Sequence, residues 1–193
     1  MRKVGITGGI GSGKSMVGRV LESMGFPVFY SDDEAKRLSD KDPIIRSELI
    51  AVFGDEVYTK EGLNRPFLAE KIFGNETLRH KVNAIIHPRV REAFNAFAIA
   101  QKSPFVFNEA AILIETGVHE NFDFMILVTA PEDVRIDRVK QRDNTDREVI
   151  QARMNKQWSD DQKRPFADFE IVNDGQTPLV RQIENVIEKL KEL

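Results

Sequence analysis

Gly8-Gly9-Ile10-Gly11-Ser12-Gly13-Lys14-Ser15 is the stretch that decides the fold. It satisfies G-x-x-x-x-G-K-[ST], a pattern that average composition produces by accident in roughly one chain in a hundred of this length. Context therefore has to carry the reading, and the context is present. Upstream, Val4-Gly5-Ile6 is a short apolar run that reads as a buried strand ending at Thr7. Downstream, Val17, Val20, Leu21 and Met24 fall at i, i+3, i+4 and i+7, one face of a helix beginning at Lys14. Gly25 follows where helices commonly stop. In a strand, glycine loop and helix of this kind, successive backbone N–H groups converge on a polyphosphate and the helix N-terminus adds partial positive charge. Lys14 supplies a point charge for the β- and γ-phosphates, and the Ser15 hydroxyl is placed to ligate Mg²⁺. The motif thus assigns Gly9, Gly11, Ser12, Gly13, Lys14 and Ser15 to ATP, and Met16, next in the chain, is expected there with them.

Working outward, short β-branched or aromatic runs alternate with longer helical patterns. Pro27-Val28-Phe29-Tyr30 reads as a second strand, followed by the polar turn Ser31-Asp32-Asp33. Phe105-Val106-Phe107 and Met125-Ile126-Leu127-Val128 are continuous apolar runs, as expected of strands buried on both faces of a parallel sheet. Ile171-Val172 is a short fifth strand, and Leu179, Ile183, Val186, Ile187 and Leu190 mark a closing amphipathic helix. Strands separated by helices imply right-handed crossovers and a doubly wound α/β sheet. Residues 33–101 read as almost wholly helical and are too long for a simple crossover. They are expected to form an insertion near the carboxyl edge of the sheet, where ligands bind in such folds.

Composition removes whole classes of function. The chain has 193 residues, of which 41% are hydrophobic, and a net charge of -3, so disorder and dedicated duplex binding are poor readings. No apolar run reaches the roughly 18 to 20 residues of a membrane span, and Met1-Arg2-Lys3 leads straight into the first strand without a signal-peptide pattern. There are no cysteines, so disulfides, thiolate metal sites and cysteine nucleophiles are excluded. The expectation is a soluble cytoplasmic protein, a monomer or weak homo-oligomer, binding neither nucleic acid nor membrane. Among loop-type nucleotide proteins, a signalling GTPase is disfavoured: the sole Asn-Lys pair is Asn155-Lys156, and Trp158 stands where the guanine-reading aspartate belongs. Motor ATPases and transporters need far more chain. A small kinase remains.

The rest of the sequence resembles the dephospho-CoA kinase family along essentially its whole length. Ile6 through Ser15 resembles the family's opening almost letter for letter, and Val28 to Ala35 its Asp-Ala-Asp segment. Leu63-Asn64-Arg65 with Phe73, Ile86-His87-Pro88-Arg89-Val90-Arg91, Ala111 to Glu115, Arg138 with Arg142-Asp143, and Ala167-Asp168 with Asn173-Asp174-Gly175 are each similar to a further family element in the same order. Three positions depart from the pattern: Tyr30 replaces the first aspartate of Asp-Ala-Asp, Ala111 a proline, and Arg135 a glutamine. The resemblance implies a P-loop kinase with a five-stranded parallel sheet, using ATP and Mg²⁺ to phosphorylate the ribose 3′-hydroxyl of dephospho-CoA. It implies a core of residues 1–32, 102–134 and 165–193, an acceptor-binding insertion at 33–101 and a mobile lid at 135–164.

Candidate residues follow, each with a plainer alternative. Asp32 is the expected catalytic base, the alternative being a helix N-cap, a role that better suits Asp33. Arg135, Arg138 and Arg142 share a helix face within a segment, 135–164, that carries nine Lys/Arg and six Asp/Glu. Such forks stabilise the charge of phosphoryl transfer, so Arg138 and Arg142 are expected to be catalytic and Arg142 also to bind ATP; the alternative is a solvated helix face. His87, held extended by Pro88, together with Asn64, Arg65 and Glu115, is expected on the acceptor, although His87 and Glu115 also suit structural roles. Glu109, after the third long strand, is expected to orient Mg²⁺ through water. Asn173 is expected at ATP or in a simple strand-to-helix turn. Two rival functions are a kinase for another small acceptor, such as a nucleoside monophosphate, and a non-catalytic ATP-sensing module.

Overall fold

The computed structural model describes residues 1–193, which divide into two compact units: Met1–Tyr30 with Gln101–Leu193, and Ser31–Ala100. The first unit is a five-stranded parallel sheet in the order β2-β5-β1-β6-β7, built from β1 (Arg2–Thr7), β2 (Val28–Tyr30), β5 (Phe105–Glu109), β6 (Phe124–Thr129) and β7 (Phe169–Val172). β1 is central, pairing with β5 from Arg2↔Phe105 to Ile6↔Glu109 and with β6 from Val4↔Phe124 to Thr7↔Leu127. The chain leaves β1 toward one edge and later crosses to the other, and ligands bind at such reversals, outside the carboxyl ends of the strands. The phosphate loop begins there.

Helices α1 (Lys14–Ser23), α6 (Glu132–Asp143), α7 (Arg147–Met154), α8 (Asp160–Lys163) and α9 (Leu179–Glu192) complete the unit. The middle of each central strand is apolar because both faces are covered. Val4 and Ile6 pack with Val17 and Leu21 of α1 and with Ile183, Ile187 and Leu190 of α9. Truncating a side chain such as Ile6, which is wholly buried, to alanine costs about 2–5 kcal/mol. The core therefore fixes the β1–α1 junction firmly.

Residues 31–100 contain α2 (Ser31–Lys41), α3 (Pro43–Phe53), α4 (Arg65–Ile72) and α5 (Glu76–Ile99). They also contain a feature the helical reading missed, the antiparallel hairpin β3 (Tyr58–Thr59) and β4 (Gly62–Leu63). Two-residue strands are too short to show a period of two, and the signal was Thr59-Lys60-Glu61-Gly62, a turn sequence. Asp42 caps α3 through the Ile44 and Ile45 amides, and its other oxygen accepts from Arg89 of α5 at 2.9 and 3.1 Å. One buried carboxylate thus ties α3 to α5.

Two local expectations are corrected. α5 runs through Pro88, so His87 is helical, not extended. The proline only removes one amide donor, and the packed faces on either side, with Val82, Val90 and Phe94 buried, hold the helix together. Asp33 is not an N-cap: α2 already begins at Ser31, which places Asp32, Asp33 and Glu34 in its first turn, where the helix dipole favours carboxylates. No helix is long and apolar enough to cross a membrane.

Candidate active site

The loop between β1 and α1 is an anion nest. Gly13 adopts φ 92°, a left-handed conformation that favours glycine, and opens α1 without a side-chain cap or an acidic residue in the first turn. Within the protein, the Ser12 amide donates to the Gly9 carbonyl and the Met16 amide to the Gly13 carbonyl, whereas the amides of Gly11, Gly13 and Ser15 take no partner. Donors left over at a helix N-terminus form a ready site for phosphate oxygens. The Ser12 hydroxyl is a further orphan, fully buried and without a hydrogen bond. Lys14 is buried; its ammonium donates to the Gly9 carbonyl at 3.5 Å and lies 3.9 Å from Glu109 Oε1 at the end of β5. At 3.9 Å this buried contact lies at the long end of the ion-pair range.

Ser15 is exposed beside Lys14. The protein has no cluster of three or more His, Asp or Glu side chains suited to a metal. Mg²⁺ tolerates this, since it commonly takes one or two protein oxygens and fills its octahedron with phosphate oxygens and water. Ser15 and Glu109, both beside the nest, fit that description.

The outer surface of the loop is braced by side chains from far along the sequence. Arg138 Nη1 donates to the Gly11 and Ser12 carbonyls at 3.4 Å each, and Nη2 to Asn173 Oδ1 at 3.3 Å. Asn173 Nδ2 donates to the Ser12 carbonyl at 3.0 Å, and its own amide donates to the Thr129 carbonyl at the end of β6. A Cβ on Gly13 would stand 2.0 Å from Asn173 Nδ2. The loop glycine is therefore demanded by protein packed behind it as well as by backbone conformation. Arg142 lies one turn further along α6, mostly exposed and paired with Asp143 at 2.7 Å. Met16 is half exposed on α1.

The remaining sequence-predicted residues are placed as follows. Glu115 forms an ion pair with Lys163 at 2.8 Å, accepts from the Trp158 amide and leaves Oε2 buried without a partner. Lys163, wholly buried, also donates to the Ala111 carbonyl, which accepts from Thr7 at the end of β1 as well. The contact is to a backbone oxygen, so the departure from proline at Ala111 leaves this acceptor in place. Tyr30, another of the three departures, donates to Glu22 at 2.9 Å and covers Gly18 of α1. Burial above all, with the hydrogen bond to Glu22, raises its pKa far out of the physiological range, so it offers no anion in place of the missing aspartate. Sequence reasoning missed Lys163; a lysine within a charged run gives no sign of burial.

In residues 31–100, Asp32 sits in the first turn of α2, exposed and without a hydrogen bond or ion pair. His87 of α5 is within electrostatic reach of it: burial lowers the His87 pKa, Arg91 lowers it further, and the charge of Asp32 opposes both. The ring is therefore neutral at neutral pH. Asn64 caps α4 through Phe67 and donates to the Glu56 carbonyl, while Arg65 forks onto Asp40 at 3.0 and 2.8 Å. Asn64 thus has a structural duty, and Arg65 would have to share or exchange its carboxylate to hold an acceptor.

A parallel sheet with a phosphate nest at the end of its central strand, a buried lysine and cationic side chains gathered around it define a P-loop phosphotransferase. Comparison with known proteins narrows this. Residues 2–178 match the family model described as dephospho-CoA kinase, and the chain belongs to that family. It is 44% identical over 186 residues to a dephospho-CoA kinase of Bacteroides fragilis, covering 96% of this chain and 91% of the relative. Among solved structures, TT1252 from Thermus thermophilus superposes with a TM-score of 0.85 at 32% identity, covering 100% of this chain and 97% of that one. Dephospho-CoA kinase from Campylobacter jejuni superposes at 0.71 and 24% identity, covering 98% and 97%, a likeness of fold. The family catalyses the last step of coenzyme A synthesis, the ATP-dependent phosphorylation of dephospho-CoA.

Proposed function

We propose that the chain transfers the γ-phosphoryl of ATP in line to the ribose 3′-hydroxyl of dephospho-CoA, with Asp32 as the base. The unpartnered amides of Gly11, Gly13 and Ser15 beside Lys14 are the observation that carries this reading. They would hold the triphosphate, with Gly9, Ser12 and Met16 completing its surroundings, and Lys14 would turn from the Gly9 carbonyl toward the β- and γ-phosphates. Asp32 takes the proton of the hydroxyl as its oxygen bonds to the γ-phosphorus and the bond to the bridging β,γ-oxygen breaks, releasing ADP. Mg²⁺ bound near Ser15 and Glu109 would neutralise charge on the β- and γ-oxygens.

Arg138, already against the loop, adds positive charge behind it, and Arg142 is the fork exposed enough to exchange Asp143 for phosphate or adenine. Asn173 supports the ATP side. Neutral His87, Asn64, Arg65 and Glu115 are proposed for the acceptor side, in residues 31–100 except for Glu115. Residues 135–164 act as the lid, excluding water that would otherwise take the phosphoryl group. We place the enzyme in the cytoplasm, as a monomer or weak homo-oligomer.

Incubating the protein with MgATP and dephospho-CoA should yield coenzyme A by mass spectrometry, with the phosphate on the 3′ position by NMR. ADP formed without a phosphorylated acceptor, or phosphate on another oxygen, would overturn the assignment.

A further inference from the structure

The phosphate loop is pinned at its tip. The Ile10 amide donates to Gln157 Oε1 at 2.8 Å, and the Ile10 carbonyl accepts from Arg135 Nε at 3.0 Å. The Ile10 side chain packs against Ile136, Val139, Ile150 and Met154, the apolar seam between α6 and α7. Arg135 is itself aimed by Asp160, 3.5 Å from Nη1, and both side chains are mostly buried. Its guanidinium lies so close that a Cβ on Gly9 would stand 2.1 Å from Nη2, and one on Gly11 would stand 2.5 Å from the Arg135 carbonyl. Both backbone groups and the side chain of one loop residue are thus held by the segment 135–157, more than a hundred residues away in sequence.

We infer that Gln157 and Arg135 are positioning residues for the phosphate loop: they hold Ile10 so that the amides following it face the triphosphate before nucleotide arrives. Ile10 lies between Gly9, whose carbonyl takes Lys14, and Gly11, the first unpartnered amide. With glycines on both sides of Ile10, the local restraint on that turn is the bond from the Ser12 amide to the Gly9 carbonyl; the clamp adds bonds to both backbone groups of Ile10 itself. A loop already ordered loses less freedom on binding, and its affinity rises accordingly. Arg135, which shares a helix face with Arg138 and Arg142, is on this inference a backbone clamp, not a phosphate ligand. The inference rests on ATP occupying the loop, as proposed above, but not on the identity of the acceptor.

The test uses the whole chain without acceptor. In Gln157→Leu, which removes the acceptor oxygen, the Ile10 amide should lose hydrogen-exchange protection, and ADP should bind about fivefold more weakly by calorimetry, the order expected for one net hydrogen bond. Melting temperature and, in the full reaction, KM for dephospho-CoA should stay near wild type. Gln157→Glu keeps an acceptor oxygen and should restore Ile10 protection. Should Gln157→Leu fold poorly, Arg135→Gln gives the second reading, with ADP affinity again falling. An unprotected Ile10 amide in the wild type, or unchanged ADP affinity in both variants, would overturn the inference. So would weaker binding that merely follows a lower melting temperature. A protein that binds ADP as described yet fails to phosphorylate dephospho-CoA would break the proposed function and leave this inference standing.

Discussion

In the unit that carries the phosphate loop, three polar side chains beside the loop already have protein partners: Lys14 on the Gly9 carbonyl, Arg138 on Gly11 and Ser12, and Asn173 on Ser12. In residues 31–100, Asp32 is exposed without a hydrogen bond or ion pair, and Arg65 is half-exposed on Asp40. The contrast separates two ways of preparing for a ligand. A triphosphate presents the same charged oxygens in every ATP molecule, so a nest of amides can be built for it in advance. On the proposed mechanism the base has to meet one hydroxyl of a long acceptor, and an exposed carboxylate at a helix start costs the fold nothing. Removing Asp32 should therefore strike the chemical step and largely spare folding and ATP binding. Asp32→Asn should lower kcat by about a hundredfold to ten-thousandfold, with ATP affinity unchanged and at most a slight fall in melting temperature from the lost helix-dipole interaction. Turnover within a few-fold of wild type would remove the base from the mechanism.

The next largest effect sharpens the pre-built side. Lys163 and Glu115 form a buried pair that joins the chain after β5 to the end of α8. Removing one partner of such a pair typically costs 3–5 kcal/mol, because the other is left charged and buried. Lys163→Met should therefore lower the melting temperature by many degrees. The double variant Lys163→Met with Glu115→Leu should recover most of it. If Glu115 serves the acceptor as well, the recovered double variant will show a raised KM for dephospho-CoA at unchanged KM for ATP. Full recovery of stability with both KM values unchanged would confine Glu115 to the fold.

Asn173→Ala comes third. It removes the bond to the Ser12 carbonyl and a partner of Arg138, so ATP binding should weaken by about five- to tenfold, as expected for one or two net hydrogen bonds, while KM for dephospho-CoA holds. An unaltered ATP affinity would mean that the brace behind the loop is decorative.

The same contrast explains what could be read from residues alone. Eight contiguous positions specify the nest, and the strand and helix on either side specify its ends, so β1 ending at Thr7 and α1 starting at Lys14 were both legible. The buried strands announced themselves as continuous apolar runs. The brace was not legible, because Arg138 reaches the loop across 127 positions and Asn173 across 161. A charged residue in a charged helix looks the same whether it meets water or a carbonyl. The helical insertion was the least legible part: its hairpin has strands of two residues, and α5 keeps its course through Pro88 because tertiary packing outweighs one lost amide.

The smallest expected effect concerns His87, a half-buried titratable group of α5 in residues 31–100. Burial, with Arg91 adding to it, lowers the His87 pKa below the ordinary value of about 6.5 despite the charge of Asp32. In the unfolded chain the ring takes a proton at that ordinary value, while in the folded protein it stays neutral to lower pH. The stability tied to neutral His87 is therefore complete above about pH 6.5 and is lost as pH falls through 6.5 toward the folded value. Between pH 7.5 and 5.5 the wild type should lose more stability in urea than His87→Phe, a non-titrating ring of similar shape. Equal losses would show that His87 does not titrate differently on folding. The Asp32→Asn variant refines the reading: without the aspartate charge the His87 pKa should fall further, and an NMR titration of the ring that instead moves it upward would contradict the proximity of the two residues.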